Sequence, residues 1–525
     1  MSVLNQASPS TVLSDAAATL RPSACPGLLR IVAARDGGIC RIKLPGGELR
    51  AAQARAIAQA SARYAAGVIE LTNRANVQVR GVKRGEEAAL IAALVAAGLG
   101  PIPATGAESA ADRTVAENAA DTGAANAASA EAGNAVDVAR TLTAASNAAD
   151  DVRNVMISPA AGRDPFALFD TQPLCAELLT MLQSDTRFAA LSPKFALLLD
   201  GGERLASVDH PHDVWLAASQ EADGVRFVFG LAGCPPEREM GNADSPSQSQ
   251  HGGPFAPAEK ARAGSTGALA AILPSQVPAL ARALLLTFLD LAAADATRMR
   301  HLLAAHCVDT LLHHAQRYLD FPLTQNAKLT NWHRGTSADA SLRLGAHAQR
   351  VPETWHVGGQ PPLGRLKADT LHGLAALSQQ HGNGTLRLTP WQSVLLPDIA
   401  THTVPTVLSG LNELGLACEP AQAITRLIAC AGSTGCAKGL ADTKADALRL
   451  AVRLPAGVEV HLSGCSRSCA AAHCAPYTLL AAAAGLYDLY RRDGQPGFGQ
   501  CVARQLTIGE AADMLERLAR SNTDA

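Results

Sequence analysis

A duplicated α+β fold is predicted by three observations: an internal repeat, a recurring strand–helix–strand–strand–helix order, and a larger α+β segment behind each copy. The repeat lies in residues 67–82 and 384–399, where Gly67, Leu71, Thr72 and Val77 match Gly384, Leu388, Thr389 and Val394 at one offset. The register continues without a gap, Leu94, Gly98 and Leu99 matching Leu411, Gly415 and Leu416. Such self-similarity marks a repeated structural unit. Period-two apolar runs give the strands and longer periods give the helices. Each copy is preceded by an apolar strand, Ile39–Leu44 or Leu363–Lys367, and then an amphipathic helix, Leu49–Ala65 or Ala368–Gln380. That order is the split βαβ, ferredoxin-like arrangement. Behind the first copy come a strand at Asn154–Ser158, a helix around Leu174–Leu182 and strands near Phe195–Leu199 and Val225–Phe229. Behind the second come a cysteine loop, a helix near Lys444–Arg453, a strand at Val458–Leu462 and a closing helix, Ile508–Leu518.

The expected organisation is a first half-domain over 21–102, a larger α+β module over 152–330, a second half-domain over 350–418 and a cysteine-bearing α+β module over 424–520. Two segments read as inserts. Residues 103–151 are almost all small or polar, too poor in bulky apolar groups to offset the entropy of ordering, and are expected to be disordered. Residues 235–266, rich in Pro, Gly, Ser and Gln, read as a polar insert within the module over 152–330. A chain of 525 residues is too long for one core, and its 48% apolar content is enough for several. The formal net charge of -2 gives neither a basic field for nucleic acid nor a polybasic membrane patch. The most apolar stretch, Val277 to Ala293, carries Arg282 and Asp290 and suits a soluble helix better than a membrane span. The N-terminus has no signal-peptide pattern, and the 12 cysteines are scattered rather than framing a small secreted domain, so a reducing cytoplasm is expected.

Four of those cysteines fall into two tight pairs, Cys430 with Cys436 and Cys465 with Cys469. Four converging thiolates are what a 4Fe–4S cubane needs, and soft sulfur is the ligand that iron–sulfur chemistry selects. Gly432, Gly435 and Gly464 let the backbone approach closely and point N–H groups at cluster sulfur. A structural zinc site also accepts four cysteines, although its gaps are usually two to four residues and the first gap here is five. Cys474 and Cys501 lie outside the spacing and read as buried thiols. His301, His306, His313 and His314 have some helical spacing and read as a polar helix face, with an iron site as the alternative.

With these residues in place, the chain resembles the nitrite/sulfite reductase family, whose members pair two ferredoxin-like halves with two larger α+β halves and carry a C-x5-C and C-x3-C cluster motif. The resemblance implies that Arg74, in Thr72-Asn73-Arg74, and Arg153, in Arg153-Asn154-Val155, supply cations to the active site. It implies the same for Lys194, while the family's second lysine position is Ala196 here. A cleft for a polycarboxylate tetrapyrrole needs such groups, and Arg80 joins Arg74, Arg153 and Lys194 as candidates. Leu386 to Trp391, Pro362 to Leu366, Ala429 to Gly432 and Arg21 to Gly27 resemble the family's cobalamin-pathway branch, the precorrin-3B synthases. After the cysteines that branch reads Cys-Ala-His, whereas His473 here follows three alanines. What this branch implies is oxygen-dependent hydroxylation of precorrin-3A at C20 with γ-lactone formation, using a tetrapyrrole substrate, molecular oxygen and an external electron donor. The cofactors implied are one 4Fe–4S cluster and a second iron site. The second iron is either sirohaem, bridged to the cluster by Cys469, or a mononuclear non-haem iron. The alternatives are a sirohaem-dependent sulfite or nitrite reductase and, in another class, a non-catalytic iron–sulfur electron carrier.

Overall fold

The computed structural model describes residues 25–101, 144–237, 267–323, 325, 327–471, 475–493 and 497–523. Its strands form four five-stranded sheets. The first half-domain supplies β1 (Val32–Ala34), β2 (Gly37–Ile42), β3 (Glu48–Arg50), β4 (Val68–Leu71) and β5 (Val77–Val82). Next come β6 (Val155–Met156), β7 (Leu197–Asp200), β8 (His212–Glu221), β9 (Gly224–Gly233) and β10 (Ala271–Ile272). The second half-domain adds β11 (Gly345–Ala348), β12 (Thr354–Gly359), β13 (Arg365–Lys367), β14 (Thr385–Leu388) and β15 (Val394–Ala400). The last module holds β16 (Leu427–Ala429), β17 (Val460–Ser463), β18 (Tyr477–Ala483), β19 (Leu486–Arg491) and β20 (Gln500–Leu506).

The two half-domains exchange an edge strand. One sheet runs β1-β2-β5-β4-β13 and the other β11-β12-β15-β14-β3, so each borrows its last strand from the other copy. Leu366 pairs with Ile69, and Leu49 with Leu386. The helices Ala51–Tyr64 and Ala368–His381 pack against each other over these sheets, and Leu49, Ile57, Ile69, Leu366, Leu374 and Leu386 share one core. The sequence reading therefore misaligned one strand. Leu363–Lys367 corresponds to Gly46–Arg50, not to Ile39–Leu44, whose counterpart is β12. The cause is a tight turn at Pro45–Gly47 and Pro362–Gly364, which separates two strands that hydropathy alone runs together. Gly47 sits at φ +69°, and a Cβ there would lie 2.3 Å from the Leu388 carbonyl oxygen, so the crossing requires glycine.

The two larger modules repeat one topology. β6, β7 and β8 run parallel and β9 and β10 continue antiparallel; β16, β17 and β18 run parallel and β19 and β20 continue antiparallel. The apolar stretch from residue 277 is the helix Val277–Leu291, buried in a core it shares with β8 and β9. Among the described residues no helix is long and apolar enough to cross a membrane.

The expectation of disorder through residue 151 fails over its last eight residues. Residues 102–143 lie outside the described residues, as does 238–266 of the polar insert, but Ala144–Asp151 is a helix. Asp150 is 1% exposed and accepts from the Leu28 N–H at 3.0 Å, while Asp151 pairs with Arg30 at 2.8 Å. Alanine-rich composition hid two buried carboxylates that tie this helix to the first half-domain.

Candidate iron–sulfur site and cationic cleft

Both cysteine pairs hang from the ends of neighbouring parallel strands. Cys430 follows β16 directly and its N–H bonds to the Leu462 carbonyl of β17; Cys465 follows β17 by two residues. Parallel pairing thus delivers the two loops to one end of the sheet. The loops are laced together by the Leu440 N–H to the Gly464 carbonyl at 3.0 Å. Gly432 and Gly464 N–H groups donate to Cys430 Sγ at 3.4 and 3.2 Å, and Thr443 Oγ1 lies 3.5 Å from the same sulfur. Gly432 adopts φ +62°, and a Cβ would fall 2.7 Å from the Ala441 carbonyl oxygen. The third glycine works differently, through its carbonyl. Gly435 O accepts from Arg80 Nη2 at 2.8 Å.

The donor chemistry of this loop pair fits an iron–sulfur cluster. Two backbone N–H groups already converge on the Cys430 sulfur, as a thiolate ligand requires. The Cys469 side chain is exposed, yet packing around it, with the charge of Cys430, Cys465 and Cys436, pushes its thiol up to about 11. Four thiolates so placed need a multivalent cation to hold them deprotonated. Among the described residues no three His, Cys, Asp or Glu side chains converge on a point suited to one metal ion. His473 and Cys474 lie outside the described residues.

The last cysteine faces the first half-domain. Asn73 Nδ2 donates to the Cys469 carbonyl at 3.4 Å, and the charge of Cys469 reaches Arg41. Around this contact stands a group of cations. Arg41 donates to the Gln78 side-chain oxygen at 2.6 and 3.0 Å. Lys43, 3% exposed, donates to the Asp151 carbonyl at 2.5 Å, and burial brings its ammonium down to about 8 against the pull of Asp150 and Asp151. Arg153 is held loosely, by Asp150 and by the Lys43 carbonyl at 3.4 Å each. Arg74 is half-buried, and burial together with Arg298 and Arg41 lowers its guanidinium to about 10. Lys194 is exposed.

Arg80 departs from the sequence reading. It is 3% exposed and its guanidinium is filled by Asp36 at 2.8 and 2.9 Å, Glu70 at 3.4 Å and the Gly435 carbonyl. It braces the first cysteine loop and has no edge left for a ligand. Glu70 in turn accepts from Arg365 at 2.7 Å and faces Lys444 at 3.7 Å, whose ammonium donates to the Leu363 and Ala429 carbonyls. Among the described residues the histidine stretch forms no group of three ligands for a metal ion. His301 Nδ1 accepts from the Thr297 N–H, and His314 Nδ1 bonds with Thr287 Oγ1.

Sequence reasoning missed Arg41, Lys43, Arg298 and His212. Charges at 41 and 43, alternating with Cys40, Ile42 and Leu44, were a readable sign of one polar strand face. Arg298 and His212 carry no local signal.

Comparison with known proteins agrees with this fold. Residues 33–97 and 347–414 match the nitrite/sulfite reductase ferredoxin-like half domain, and residues 148–323 match the nitrite and sulphite reductase 4Fe-4S domain. The latter match falls on the module of β6 to β10, whose topology the cysteine-bearing module repeats. A precorrin-3B synthase from Sinorhizobium sp is 26% identical across 97% of this chain and 91% of its own length. The chloroplastic ferredoxin–nitrite reductases of Zea mays and Arabidopsis thaliana are each 26% identical across 82% of this chain, which spans 67% and 64% of their lengths. The Mycobacterium tuberculosis NirA structure superposes with a TM-score of 0.66 at 19% identity, over 92% of this chain and 80% of that one, and shares its fold. The chain belongs to the nitrite and sulfite reductase family.

Proposed function

We propose that this chain is a precorrin-3B synthase, catalysing oxygen-dependent hydroxylation of precorrin-3A at C20 with closure of the ring-A acetate to a γ-lactone. The observation that carries this reading is coverage. The precorrin-3B synthase relative aligns over nearly the whole of both chains, whereas the plant nitrite reductases leave a third of their length unmatched. Residue 196 agrees with it. Ala196 is buried, and its N–H is taken by Asp213 at 2.9 Å, so the position offers no cation for a tight oxyanion cage. Arg74 and Arg153, partly buried, and Lys194, exposed, would suit a large ligand with several carboxylates.

Cys430, Cys436, Cys465 and Cys469 would hold one 4Fe–4S cluster, which supplies single electrons when bound. The chain's own part is to seat it: Gly432 and Gly464 donate to sulfur, Arg80 braces the loop at Gly435, and Asn73 fixes Cys469 against the substrate side. The second iron is sirohaem or non-haem iron. A sirohaem-dependent sulfite or nitrite reductase is the second reading, favoured by the names of the plant relatives.

The test uses anaerobically purified protein with precorrin-3A, an electron source and oxygen-18 gas. The expected product is heavier by one labelled oxygen atom, with negligible consumption of sulfite or nitrite. Its visible spectrum should show a broad iron–sulfur shoulder without sharp sirohaem bands. Robust reduction of sulfite with no labelled tetrapyrrole would transfer the assignment to the second reading.

A further inference from the structure

His212 opens β8 and is 1% exposed, yet neither ring nitrogen makes a hydrogen bond among the described residues. The His210 backbone carbonyl comes near the ring without closing one. Buried imidazole nitrogens are ordinarily satisfied. The His212 ring lies against His210, tilted at 37°; the similarly tilted pair His347 and His356 shows the normal solution, with His347 bonded to the Leu344 carbonyl at 2.7 Å and His356 to the Leu342 carbonyl at 3.0 Å.

The surroundings of His212 explain what is missing. Next to it in the chain, Asp213 is saturated: it accepts from Arg298 Nε at 2.9 Å, from the Met299 N–H at 2.7 Å and from the Ala196 N–H at 2.9 Å. Arg298 is thereby fixed by Nε alone, and its two terminal nitrogens make no hydrogen bond among the described residues. The Arg74 side chain makes no hydrogen bond among the described residues either, and the charges that attract it are those of Asp213, already occupied by Arg298, and Cys25. The Arg298 guanidinium is close enough to disfavour charge on Arg74, and both act on His212. Two partly desolvated cations beside an unsatisfied imidazole, with the nearest carboxylate already spent, call for an anion.

We propose that Arg74, Arg298 and His212 form an oxyanion clamp that binds one carboxylate group. A carboxylate offers two oxygens and about four acceptor sites. Arg74 and the free edge of Arg298 take opposite sides, and the neutral His212 ring donates one N–H, its other nitrogen facing the protein. The inference rests on the reading of the cleft as a polycarboxylate site. The same chemistry would also accept a free small oxyanion, and the experiment separates the two sources.

Native, cluster-loaded protein is titrated with uroporphyrin I by fluorescence quenching, with the fully esterified porphyrin as control and sulfite as competitor. Arg74→Gln and His212→Leu remove groups that no protein partner uses, and thermal melting with iron content verifies that each variant is folded. Each is expected to weaken uroporphyrin binding about tenfold. The double variant should lose less than the product of the two, and His212→Gln, which keeps a donor, should recover most of the loss. Binding of the ester should not change. If both variants weaken sulfite instead of uroporphyrin, the clamp stands and its anion is the small one. If His212→Leu binds uroporphyrin and sulfite as the native protein does, the clamp is wrong while the tetrapyrrole reading survives. Failure of native protein to bind either probe would overturn both.

Discussion

Arg74 and Arg80 stand on one hairpin, six residues apart, and have opposite uses. Both are arginines of the same hairpin, so sequence treats them alike. The difference is made by partners distant in the chain: Asp36 and Gly435 reach Arg80, while Arg298, Arg41, the occupied Asp213 and Cys25 act on Arg74 without bonding to it. A residue of the same kind is Glu203, fully buried beside Asp200. Burial and the Asp200 charge push its carboxyl up to about 8, one oxygen accepting from the Gly201 N–H while the other has no partner among the described residues. An acid whose folded pKa is raised keeps its proton while the unfolded chain loses it, so it erodes stability as pH rises between the ordinary value of 4.5 and about 8. Glu203→Gln should remove this erosion. The urea midpoint at about pH 8 should then exceed that of the native protein, by about 1 kcal/mol or more in unfolding free energy, with a smaller gain at about pH 5. An equal gain at both pH values would show that the carboxyl is ionised in the folded state.

At the scale of elements, the cysteine spacing and the strand ahead of each pair were legible, because thiol spacing and apolar runs are local signals. The brace behind them was not. Lys444 lies on the helix Thr443–Ala451, and its ammonium spans Leu363 of the second half-domain and Ala429 at the base of the cysteine loop, with Glu70 of the first half-domain alongside. Three modules meet on one buried charge next to Cys430, whose thiolate it attracts. A fixed positive charge beside a cluster favours the reduced state. Lys444→Met is therefore expected to lower the cluster midpoint potential by tens of millivolts and to reduce iron content, since two buried carbonyls lose their donor. Redox titration followed by visible absorbance gives the answer. An unchanged potential at full iron occupancy would show that Lys444 holds the modules together without acting on the cluster.

Over the whole molecule the design is duplication at two levels, half-domain and larger module, and the constant offset from Gly67 to Gly384 made the first level readable. The offset carries even into the helices, Ala51–Tyr64 and Ala368–His381. Strand exchange left no such trace, because β3 and β13 look the same in sequence whichever sheet they join. It has a consequence for folding. Residues 25–101 alone would leave β4 without its neighbour β13, exposing the backbone edge beside Ile69, and β3 without β14, stranding Leu49, which is fully buried in the whole chain. A fragment of this size buries little surface to begin with and has no margin for two bare edges. Produced by itself, it should show no cooperative thermal transition by circular dichroism. Mixing it with residues 339–418, which bring β11 to β15, should restore one, since the two pieces then complete both sheets and the shared core of Ile57, Leu366 and Leu374. A sharp melt of the isolated fragment as a monomer would mean that each half closes its own sheet and that the exchange arises only after folding.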